Sequence, residues 1–307
     1  MEQYDIAIIG GGGAGLTAAV YAARARRKTV VFEGNVTGGQ IATTDLVENY
    51  PGFPQGVNGF DLAQAILKQA EKFGAKVEYA AVEKLARLDD GTFELATEAA
   101  TFGARAVIAT SGADYNKLGV RGEAELVGKG VSYCATCDAA FFKGMDVIVV
   151  GGGDAALDEG LFTTRFAKSV TIVHRRDSLR ASAILQERAR ENSKISFVWD
   201  TVVEAIEGSA SVEAVRLRNL KTGEVTTRAT SAVFVFIGQT PNSHLLKDLV
   251  TLDPGGHAIV DLQMKTDVPG LFVAGDVRTL AARQLISAAG DGATAAISAE
   301  HYLQSLE

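Results

Sequence analysis

Ile6-Ala7-Ile8-Ile9-Gly10-Gly11-Gly12-Gly13-Ala14-Gly15 is the segment that most strongly indicates the fold class of this chain. It joins a short apolar run, of the kind that forms a buried parallel strand, to a glycine-rich turn. Leu16 to Arg27 follows as an alanine-rich segment that predicts a helix. Strand, G-x-G-x-x-G turn and helix in this order are typical of a dinucleotide-binding unit, whose glycines let a pyrophosphate approach the helix N-terminus. The candidate ligands of this turn are Gly10, Gly12, Gly13, Ala14 and Gly15.

The next strand ends in an acid at the distance that such a unit requires. Thr29 to Phe32 is apolar, and Glu33 stands eighteen residues after Gly15. A carboxylate at this place can bind the ribose hydroxyls of an adenosine. A glutamate that simply faces solvent is the alternative interpretation.

The second half of the chain repeats this plan. Asp146 to Val150 is an apolar strand that leads into a second glycine turn, a helix and a further strand. His174 ends that strand eighteen residues after Ala156, the distance that separates Gly15 from Glu33. The repeat predicts two dinucleotide-binding modules. The candidate ligands of the second are Gly151, Gly153, Asp154, Ala155 and Ala156, with Gly238 where this half closes.

At the adenosine end of the second module the charge is positive instead of negative. His174, Arg175, Arg176 and Arg180 form a cationic cluster there. Such a cluster suits the 2′-phosphate of NADP(H) rather than the bare ribose of NAD(H). A solvated basic face is the alternative.

Short alternating segments follow each module. Lys76 to Tyr79, Val82 to Leu88 and Thr92 to Ala96 predict a small meander in the first half, and Ile195 to Arg228 predicts another in the second. The fold class predicted from these elements is α/β, with two Rossmann-like three-layer domains.

The chain has only two cysteines, Cys134 and Cys137, and they lie three positions apart. At a turn that enters a helix such a pair can cycle between dithiol and disulfide, because the helix terminus stabilises a thiolate. Asp138 follows directly and is placed to deliver a proton as the disulfide opens. An ordinary acid in the first turn of a helix is the alternative for Asp138.

Three other roles compete for the cysteines. A structural disulfide is typical of secreted chains, but the acidic N-terminus runs straight into a strand without a signal peptide. A zinc site needs four ligands, and the four histidines are scattered singly, so no metal is expected. Two buried cysteines acting as small apolar residues would need surroundings less polar than Tyr133 to Asp138.

The 307 residues are enough for two domains, and their net charge is −7 with a pI near 5.3. This charge gives no global attraction to nucleic acid or anionic lipid. No apolar run reaches the roughly 18 residues that a membrane span needs. We therefore expect a cytoplasmic protein that binds neither nucleic acid nor membrane.

Two further segments suggest a long ligand. The stretches around Gly39 and Asn49 are loops rich in glycine, proline and side-chain amides. Asp276 follows a buried strand, where an acid can bind a ribityl hydroxyl of a flavin, although a turn-forming role is the alternative. Arg283 to Ala293 is followed by a predicted helix to about Leu303, and a helix N-terminus here would stabilise negative charge on a reduced isoalloxazine.

Together these motifs resemble the low-molecular-weight thioredoxin reductases, and the resemblance covers essentially the whole chain. The motifs that carry it are Cys134-Ala-Thr-Cys137-Asp138, His174-Arg-Arg-x-x-x-Arg180, Gly38-Gly39-Gln40, Val47-Glu48-Asn49 and Gly275-Asp276-Val277 with Arg283-Gln284. The chain departs from the family pattern at Thr110-Ser111-Gly112-Ala113, which is one residue longer, and at Ala282, where many members have tyrosine.

The resemblance implies an FAD-binding domain in two pieces, residues 1–116 and 243–307, with an NADPH-binding domain, residues 117–242, inserted between them. It implies a homodimer with thioredoxin as its substrate. It also implies that Cys137 is the thiol nearest the flavin and that Cys134 attacks the partner's disulfide. The flavin ligands that it adds are Gly39, Gln40, Asn49, Gly275, Asp276, Arg283 and Gln284.

Nicotinamide and disulfide lie in the same domain, yet both must reach one flavin. We therefore expect the middle domain to rotate about its two chain crossings, near Tyr115 to Gly119 and Pro241 to Ser243. Three alternatives stay open: a related enzyme that takes electrons from ferredoxin or a deazaflavin, a dithiol oxidase or small-disulfide reductase, and a non-catalytic redox-sensing flavoprotein.

Overall fold

The computed structural model describes residues 1–44, 47 and 49–307. Its strands are β1 (Glu2–Ile9), β2 (Thr29–Phe32), β3 (Lys76–Glu78), β4 (Lys84–Arg87), β5 (Phe93–Ala96), β6 (Thr101–Ala109), β7 (Ala113–Tyr115), β8 (Val131–Ser132), β9 (Asp146–Gly151), β10 (Ser169–Val173), β11 (Ile195–Val198), β12 (Thr201–Glu207), β13 (Ala214–Asn219), β14 (Val225–Ala229), β15 (Ala232–Phe236), β16 (Gln239–Pro241) and β17 (Leu271–Val273). Its helices are α1 (Gly13–Arg24), α2 (Gly59–Lys72), α3 (Ala135–Asp138), α4 (Asp154–Thr163), α5 (Ala183–Glu191) and α6 (Leu285–Gln304), with 3-10 turns at Gly39–Thr43 and Ala139–Phe142.

The described residues form two compact units. The outer unit comprises Met1–Asp114 and Thr240–Glu307, and the middle unit comprises Tyr115–Gln239. The chain crosses between them two and three residues earlier than the predicted limits after residues 116 and 242. The middle unit is therefore an insertion in the outer one.

The outer unit is built on a seven-stranded sheet in the order β3-β2-β1-β6-β5-β4, with β17 paired to the last residues of β6. The strands β1, β2, β3, β6 and β17 are parallel, whereas β4 and β5 are antiparallel. Ile9 lies opposite both Phe32 and Ala109. This register brings the residues that follow three strands to one edge of the sheet, where ligands of such sheets bind.

Both faces of this sheet are buried, which is why β1 is almost continuously apolar. Ile6 and Ile8 pack with α1 and α6 on one face, whereas Ala7 and Ile9 pack on the other with β4, β5 and the chain around residues 246–277. The helices α1 and α6 approach so closely that a Cβ on Gly292 would lie 2.1 Å from the backbone oxygen of Ala14. These layers confirm the predicted three-layer α/β class.

The middle unit contains a five-stranded parallel sheet in the order β11-β10-β9-β15-β8 and a separate antiparallel sheet in the order β12-β13-β14. Its core is formed by β9, β10 and β15 packed against α4 and α5. The middle unit thus repeats the strand, glycine turn and helix of the outer unit, which confirms the predicted pair of Rossmann-like domains.

The predicted meanders were wrong in one strand each. Lys76–Glu78 pairs in parallel with β2, and Ile195–Val198 pairs in parallel with β10, so each is the third strand of a parallel sheet. Both segments return to the sheet after a helix. The antiparallel parts are β4 to β6 in the outer unit and β12 to β14 in the middle unit.

Within the described part of the chain, no helix is long and apolar enough to cross a membrane. The same residues contain no cluster of three or more His, Cys, Asp or Glu side chains suited to a metal ion.

Candidate active site

The two cysteines are joined. Cys134 and Cys137 form a disulfide with their Cα atoms 5.3 Å apart. Cys134 has extended backbone and immediately precedes α3, so the pair lies at the entrance of a helix. Both residues are half-buried, and the Oγ1 atom of Thr136 lies 3.4 Å from the sulfur of Cys134.

Asp138 is connected to the cysteine turn through a serine. The Ser132 hydroxyl donates to Asp138 Oδ2 at 2.6 Å, and Ser132 Oγ also accepts the backbone N–H of Cys134 at 3.1 Å. Ser132 ends β8 and is buried, so its hydroxyl has a fixed place. Ser132 was absent from the predicted site, because a single serine at a strand end has many ordinary explanations.

A second carboxylate reaches the same turn from α4. Glu159 Oε2 accepts the backbone N–H of Thr136 at 3.2 Å, and a further backbone hydrogen bond comes from Ala135. Burial raises the pKa of Glu159, and the neighbouring Asp158 charge raises it further, against the effect of these hydrogen bonds. Glu159 was absent from the predicted site because it lies 23 residues from Thr136 in the chain.

A third carboxylate is almost fully buried where the middle unit begins. Glu123 accepts the N–H groups of Leu118 at 2.8 Å and Gly119 at 2.7 Å, and its Oε1 accepts the hydroxyl of Tyr133 at 2.9 Å. The ring of Tyr133 stacks on that of Tyr115, with centroids 5.3 Å apart. Burial raises the pKa of Tyr133, and the hydrogen-bonded Glu123 carboxylate raises it further.

The glycine turn of the outer unit opens into free space. Gly12 caps α1, and a Cβ added there would meet nothing within 4 Å. By contrast, α2 begins where Asn58 Oδ1 accepts two backbone N–H groups. The first N–H groups of α1 therefore have no such side-chain cap among the described residues, as a helix that receives a phosphate requires.

Glu33 lies against this turn. It is 8% exposed, and its Oε2 accepts the N–H of Gly11 at 2.7 Å. Its other oxygen accepts the N–H of Asn35 at 2.8 Å. Gly10 has a φ of 103°, and a Cβ there would lie 2.6 Å from the backbone oxygen of Thr110, so only glycine fits. The carboxylate is thus held beside the predicted pyrophosphate turn.

The end of β17 faces the same turn. A Cβ on Gly275 would lie 3.1 Å from that of Ala14, and one on Gly13 would lie 2.3 Å from the side chain of Leu285 at the start of α6. Asp276 follows, and burial raises its pKa, an effect that the nearby Arg283 opposes. The glycine turn, Asp276 and the start of α6 therefore lie around the same space.

The predicted amide ligands lie in this region too. Asn49 Nδ2 donates to Gln284 Oε1 at 3.1 Å, and Gln284 caps α6 in a capping box with Ser287. Gln40 Nε2 donates to the backbone oxygen of Ala113 at 2.7 Å. Gly39 lies beside the turn, since a Cβ added to Gly39 would lie 3.4 Å from the Cα atom of Gly12. Glu48, part of the motif around Asn49, lies outside the described residues.

An ion pair that the sequence did not indicate supports this region. The guanidinium of Arg278 binds Asp291 through two hydrogen bonds of 2.6 and 2.8 Å, and both side chains are nearly buried. Asp291 Oδ2 also accepts the N–H of Gly275 at 3.2 Å. The pair thus connects α6 to the turn that carries Asp276.

The glycine turn of the middle unit has the same open form. Gly153 caps α4, and a Cβ added there would meet nothing within 4 Å. Arg180 donates its backbone N–H to the oxygen of Gly152 at 2.7 Å, and Asp154 Oδ1 accepts the N–H of Ser182 at 2.6 Å. The arginine-bearing loop is therefore fixed against the turn. Ala155 is exposed and Ala156 is buried in α4.

His174 and the arginines have unused hydrogen-bonding capacity. His174 is 6% exposed, and among the described residues its buried Nε2 has no partner. Burial lowers the pKa of His174, which the positive charges of Arg180, Arg175 and Arg176 lower further. The three guanidinium groups are exposed and form no ion pair within the described part of the chain. This donor set fits a phosphate better than a bare ribose.

The segments where the chain crosses between the units are held locally. In the middle unit, Asn116 donates its N–H to Gly238 at 3.0 Å. In the outer unit, Ser111 Oγ donates to the backbone oxygen of Asn242 at 2.6 Å, and Asn242 Nδ2 donates to the backbone oxygen of Ser111 at 3.1 Å. Ser111, in the Thr110 to Ala113 turn, is thus held by a reciprocal pair of hydrogen bonds.

Comparisons with known proteins agree with this arrangement. Residues 4–296 match the family described as pyridine nucleotide-disulphide oxidoreductase. The chain is 47% identical over 309 residues to a thioredoxin reductase of Peptoclostridium acidaminophilum, covering 98% of this chain and 97% of the relative. It is 46% identical over 306 residues to a thioredoxin reductase of Bacillus subtilis, covering 99% and 96%.

A solved structure extends the similarity to three dimensions. The crystal structure of thioredoxin reductase from Streptococcus pyogenes has a TM-score of 0.92 and 46% identity, with 99% of each chain covered. The chain therefore belongs to the pyridine nucleotide-disulphide oxidoreductase family and, within it, to the low-molecular-weight thioredoxin reductases.

Proposed function

We propose that the chain is a flavin-dependent thioredoxin-disulfide reductase that takes its electrons from NADPH. The observation that carries this proposal is the Cys134–Cys137 disulfide at the entrance of a helix, in the same unit as a glycine turn flanked by exposed arginines. The relatives named thioredoxin reductase support it. The net reaction converts NADPH, a proton and oxidised thioredoxin into NADP⁺ and the thioredoxin dithiol.

The outer unit is the proposed FAD-binding domain. The open space at Gly12 would receive the pyrophosphate, and Glu33 would bind the adenosine ribose. Asp276 would bind the ribityl chain. The remaining proposed contacts are Gly10, Gly13, Ala14, Gly15, Gly39, Gln40, Asn49, Gly275, Arg283 and Gln284.

The middle unit is the proposed NADPH-binding domain. The start of α4 would receive the pyrophosphate, and the exposed guanidinium groups of Arg175, Arg176 and Arg180 with Nε2 of His174 would bind the 2′-phosphate. The remaining proposed contacts are Gly151, Gly153, Asp154, Ala155, Ala156 and Gly238.

A bound flavin supplies the two-electron relay between nicotinamide and disulfide, which no side chain of this protein provides. In the dithiol form, the Cys134 thiolate attacks one sulfur of thioredoxin and forms a mixed disulfide, releasing the other thioredoxin sulfur as a thiolate. The Cys137 thiolate then attacks Cys134, which restores the internal disulfide and releases reduced thioredoxin.

Asp138 has the proton-transfer role in this proposal. Its carboxyl group follows Cys137 directly and is oriented by the Ser132 hydroxyl at 2.6 Å. A carboxyl group held in this way can give a proton to a leaving thiolate and take it back in the reverse step.

We also propose a protein partner, a compartment and an oligomeric state for the enzyme. Thioredoxin is the separate protein partner, and the enzyme is a cytoplasmic homodimer whose middle unit rotates between the two half-reactions. The net charge of −7 supports the proposal that the enzyme does not bind nucleic acid.

The test is an anaerobic titration of the purified yellow protein with NADPH or NADH, followed by oxidised thioredoxin. We expect bleaching of the flavin absorbance at much lower concentrations of NADPH than of NADH, and recovery of the yellow colour on addition of thioredoxin. A colourless protein that retains no flavin would contradict the proposal.

The same experiment separates the alternatives. Bleaching by reduced ferredoxin but not by NADPH would identify a ferredoxin-dependent enzyme. Turnover with small disulfides but not with thioredoxin would identify a small-disulfide reductase. No NADPH-driven reduction of any disulfide would favour a redox sensor.

A further inference from the structure

Glu159 is a half-buried carboxylate that no step of the proposed reaction uses. It lies on α4, and its side chain extends to the first turn of α3, the helix that carries the cysteine pair. There it accepts the N–H of Thr136 at 3.2 Å and a second backbone hydrogen bond from Ala135. Its contacts are therefore with the backbone of the cysteine turn itself.

The N–H groups that Glu159 binds are those that usually make a cysteine at a helix entrance acidic. Cys134 occupies the position before the first turn of α3, where unpaired N–H groups stabilise a thiolate. In this chain two of these groups point at a carboxylate instead. The carboxylate also places a negative charge on the turn that follows the cysteine that must ionise.

The charged groups around Glu159 do not neutralise it. It lines a cavity of about 260 Å³ together with Asp158 on α4, Arg165 just after α4 and Arg188 on α5. Neither arginine lies within ion-pair distance of it, as far as the described residues show. Asp138, on α3, is hydrogen-bonded to Ser132. Among the residues that the structure describes, Glu159 thus faces the cysteine turn without a cation in ion-pair contact.

We propose that Glu159 is a positioning residue for the cysteine pair: by occupying the N–H groups at the start of α3, its carboxylate makes Cys134 a weaker acid than a cysteine at an unoccupied helix terminus. This inference deepens the proposed function, on which it rests. A less acidic thiol forms a more nucleophilic thiolate, and the best attacking thiol has a pKa near the ambient pH. Glu159 therefore adjusts the thiol that attacks thioredoxin.

The test uses the fact that the chain has only two cysteines. In a Cys137→Ser holoenzyme, Cys134 is the only thiol, and its rate of alkylation by iodoacetamide against pH gives its acidity directly. Replacement of Glu159 by Gln in this background keeps the size and an acceptor oxygen but removes the charge. We expect the midpoint of the pH profile to fall by about one unit, which is about tenfold more thiolate at a given pH below it.

Asp158→Asn is the matched control. It removes the same charge from the adjacent residue of α4, which lines the same cavity and is exposed. We expect its midpoint to move by less than about a third of a unit, since a solvent-exposed charge is screened. An unchanged or higher midpoint in the Glu159→Gln protein, or equal shifts in both variants, would overturn the proposal.

Glu159→Asp gives a second route if the glutamine variant does not yield folded holoenzyme. The shorter side chain keeps the charge but withdraws it from the N–H groups of α3, so we expect a smaller shift in the same direction. An unchanged midpoint in this variant would equally count against the proposal. Alkylation requires neither NADPH nor thioredoxin, so failure of this inference is distinguishable from failure of the proposed function.

Discussion

The hydroxyl of Ser132 donates a hydrogen bond to Asp138 Oδ2 at 2.6 Å and accepts the backbone N–H of Cys134 at 3.1 Å. One buried side chain therefore joins the proposed proton donor to the backbone of the proposed attacking cysteine. The carboxyl group and the cysteine turn are held in one arrangement, as proton transfer to a leaving sulfur requires.

Ser132→Ala should therefore slow thioredoxin reduction without affecting entry of electrons into the enzyme. We expect kcat with thioredoxin to fall by about tenfold, because a misplaced general acid loses part of its usual contribution. Turnover with ferricyanide, which does not need the cysteine pair, should be unchanged. Steady-state rates with both acceptors provide the measurement.

Ser169→Ala is the control for this prediction. Ser169 Oγ donates to Asp146 Oδ1 at 2.6 Å in the same unit, outside the cysteine turn. Its removal should leave both rates within twofold of the parent. Equal losses with thioredoxin in the two variants would show that Ser132 has no specific role.

The arginine cluster should determine the choice of nicotinamide cofactor. Arg176→Ala or Arg180→Ala should raise the KM for NADPH by about 10- to 100-fold, because each removes charge-assisted hydrogen bonds to a phosphate. The KM for NADH should change by less than about twofold. Arg228→Ala, an exposed arginine of the same unit, should alter neither value. Parallel losses with both cofactors would rule out recognition of the 2′-phosphate.

Breaking the Arg278–Asp291 pair should destabilise the outer unit. The side chains are 15% and 11% exposed, so Asp291→Asn would leave a guanidinium charge with little solvent to screen it. We expect the free energy of unfolding to fall by about 2–3 kcal/mol, together with weaker flavin retention. Urea unfolding and the absorbance ratio of flavin to protein provide the measurements.

Lys76→Met is the comparison for that prediction. Lys76 pairs with Glu2 at 3.1 Å in the same unit, but the two side chains are 62% and 42% exposed. An exposed pair contributes about 0–1 kcal/mol, so the variant should unfold almost like the parent. Comparable losses in the two variants would mean that burial of the Arg278 pair is unimportant.

His174 should make stability depend on pH. Burial holds its pKa below the ordinary value of 6.5, to which the group returns in the unfolded chain. The unfolded state then binds more protons, so the free energy of unfolding should decrease as the pH falls below about 6.5 and be insensitive to this group above it. Urea unfolding between pH 5 and 8 should show that the free energy of unfolding depends less steeply on pH in His174→Gln than in the parent protein.

His301→Gln is the control, since His301 is exposed on α6. It should retain the parent's slope. If His174→Gln kept the full slope, the buried histidine would not be its source.

The parts of the site that the sequence predicted are those in which local pattern and geometry coincide. A strand, a glycine turn and an acid eighteen residues later predicted that Glu33 and the turn serve one nucleotide site, and in the structure Glu33 accepts the N–H of Gly11 at 2.7 Å. The same periodicity identified the second module around Gly152. Two cysteines at helix-turn spacing predicted a pair, and the disulfide is present.

The parts that sequence reasoning missed depend on distant contacts. Lys76–Glu78 is only three residues long, too short for its alternation to show that its neighbour is β2. Glu159 and Ser132 become part of the cysteine turn only through packing of α4 and β8 around α3. Neither Glu159 nor Ser132 belongs to a local sequence motif, because the tertiary fold determines which residues they contact.

Glu123 gathers the peptide groups at Leu118 and Gly119 and the phenol of Tyr133 around a single anion. The backbone at the start of the middle unit and Tyr133, which precedes Cys134, are therefore connected through one carboxylate. We therefore expect a displacement of Leu118 and Gly119 to move Tyr133, the residue next to Cys134, as well.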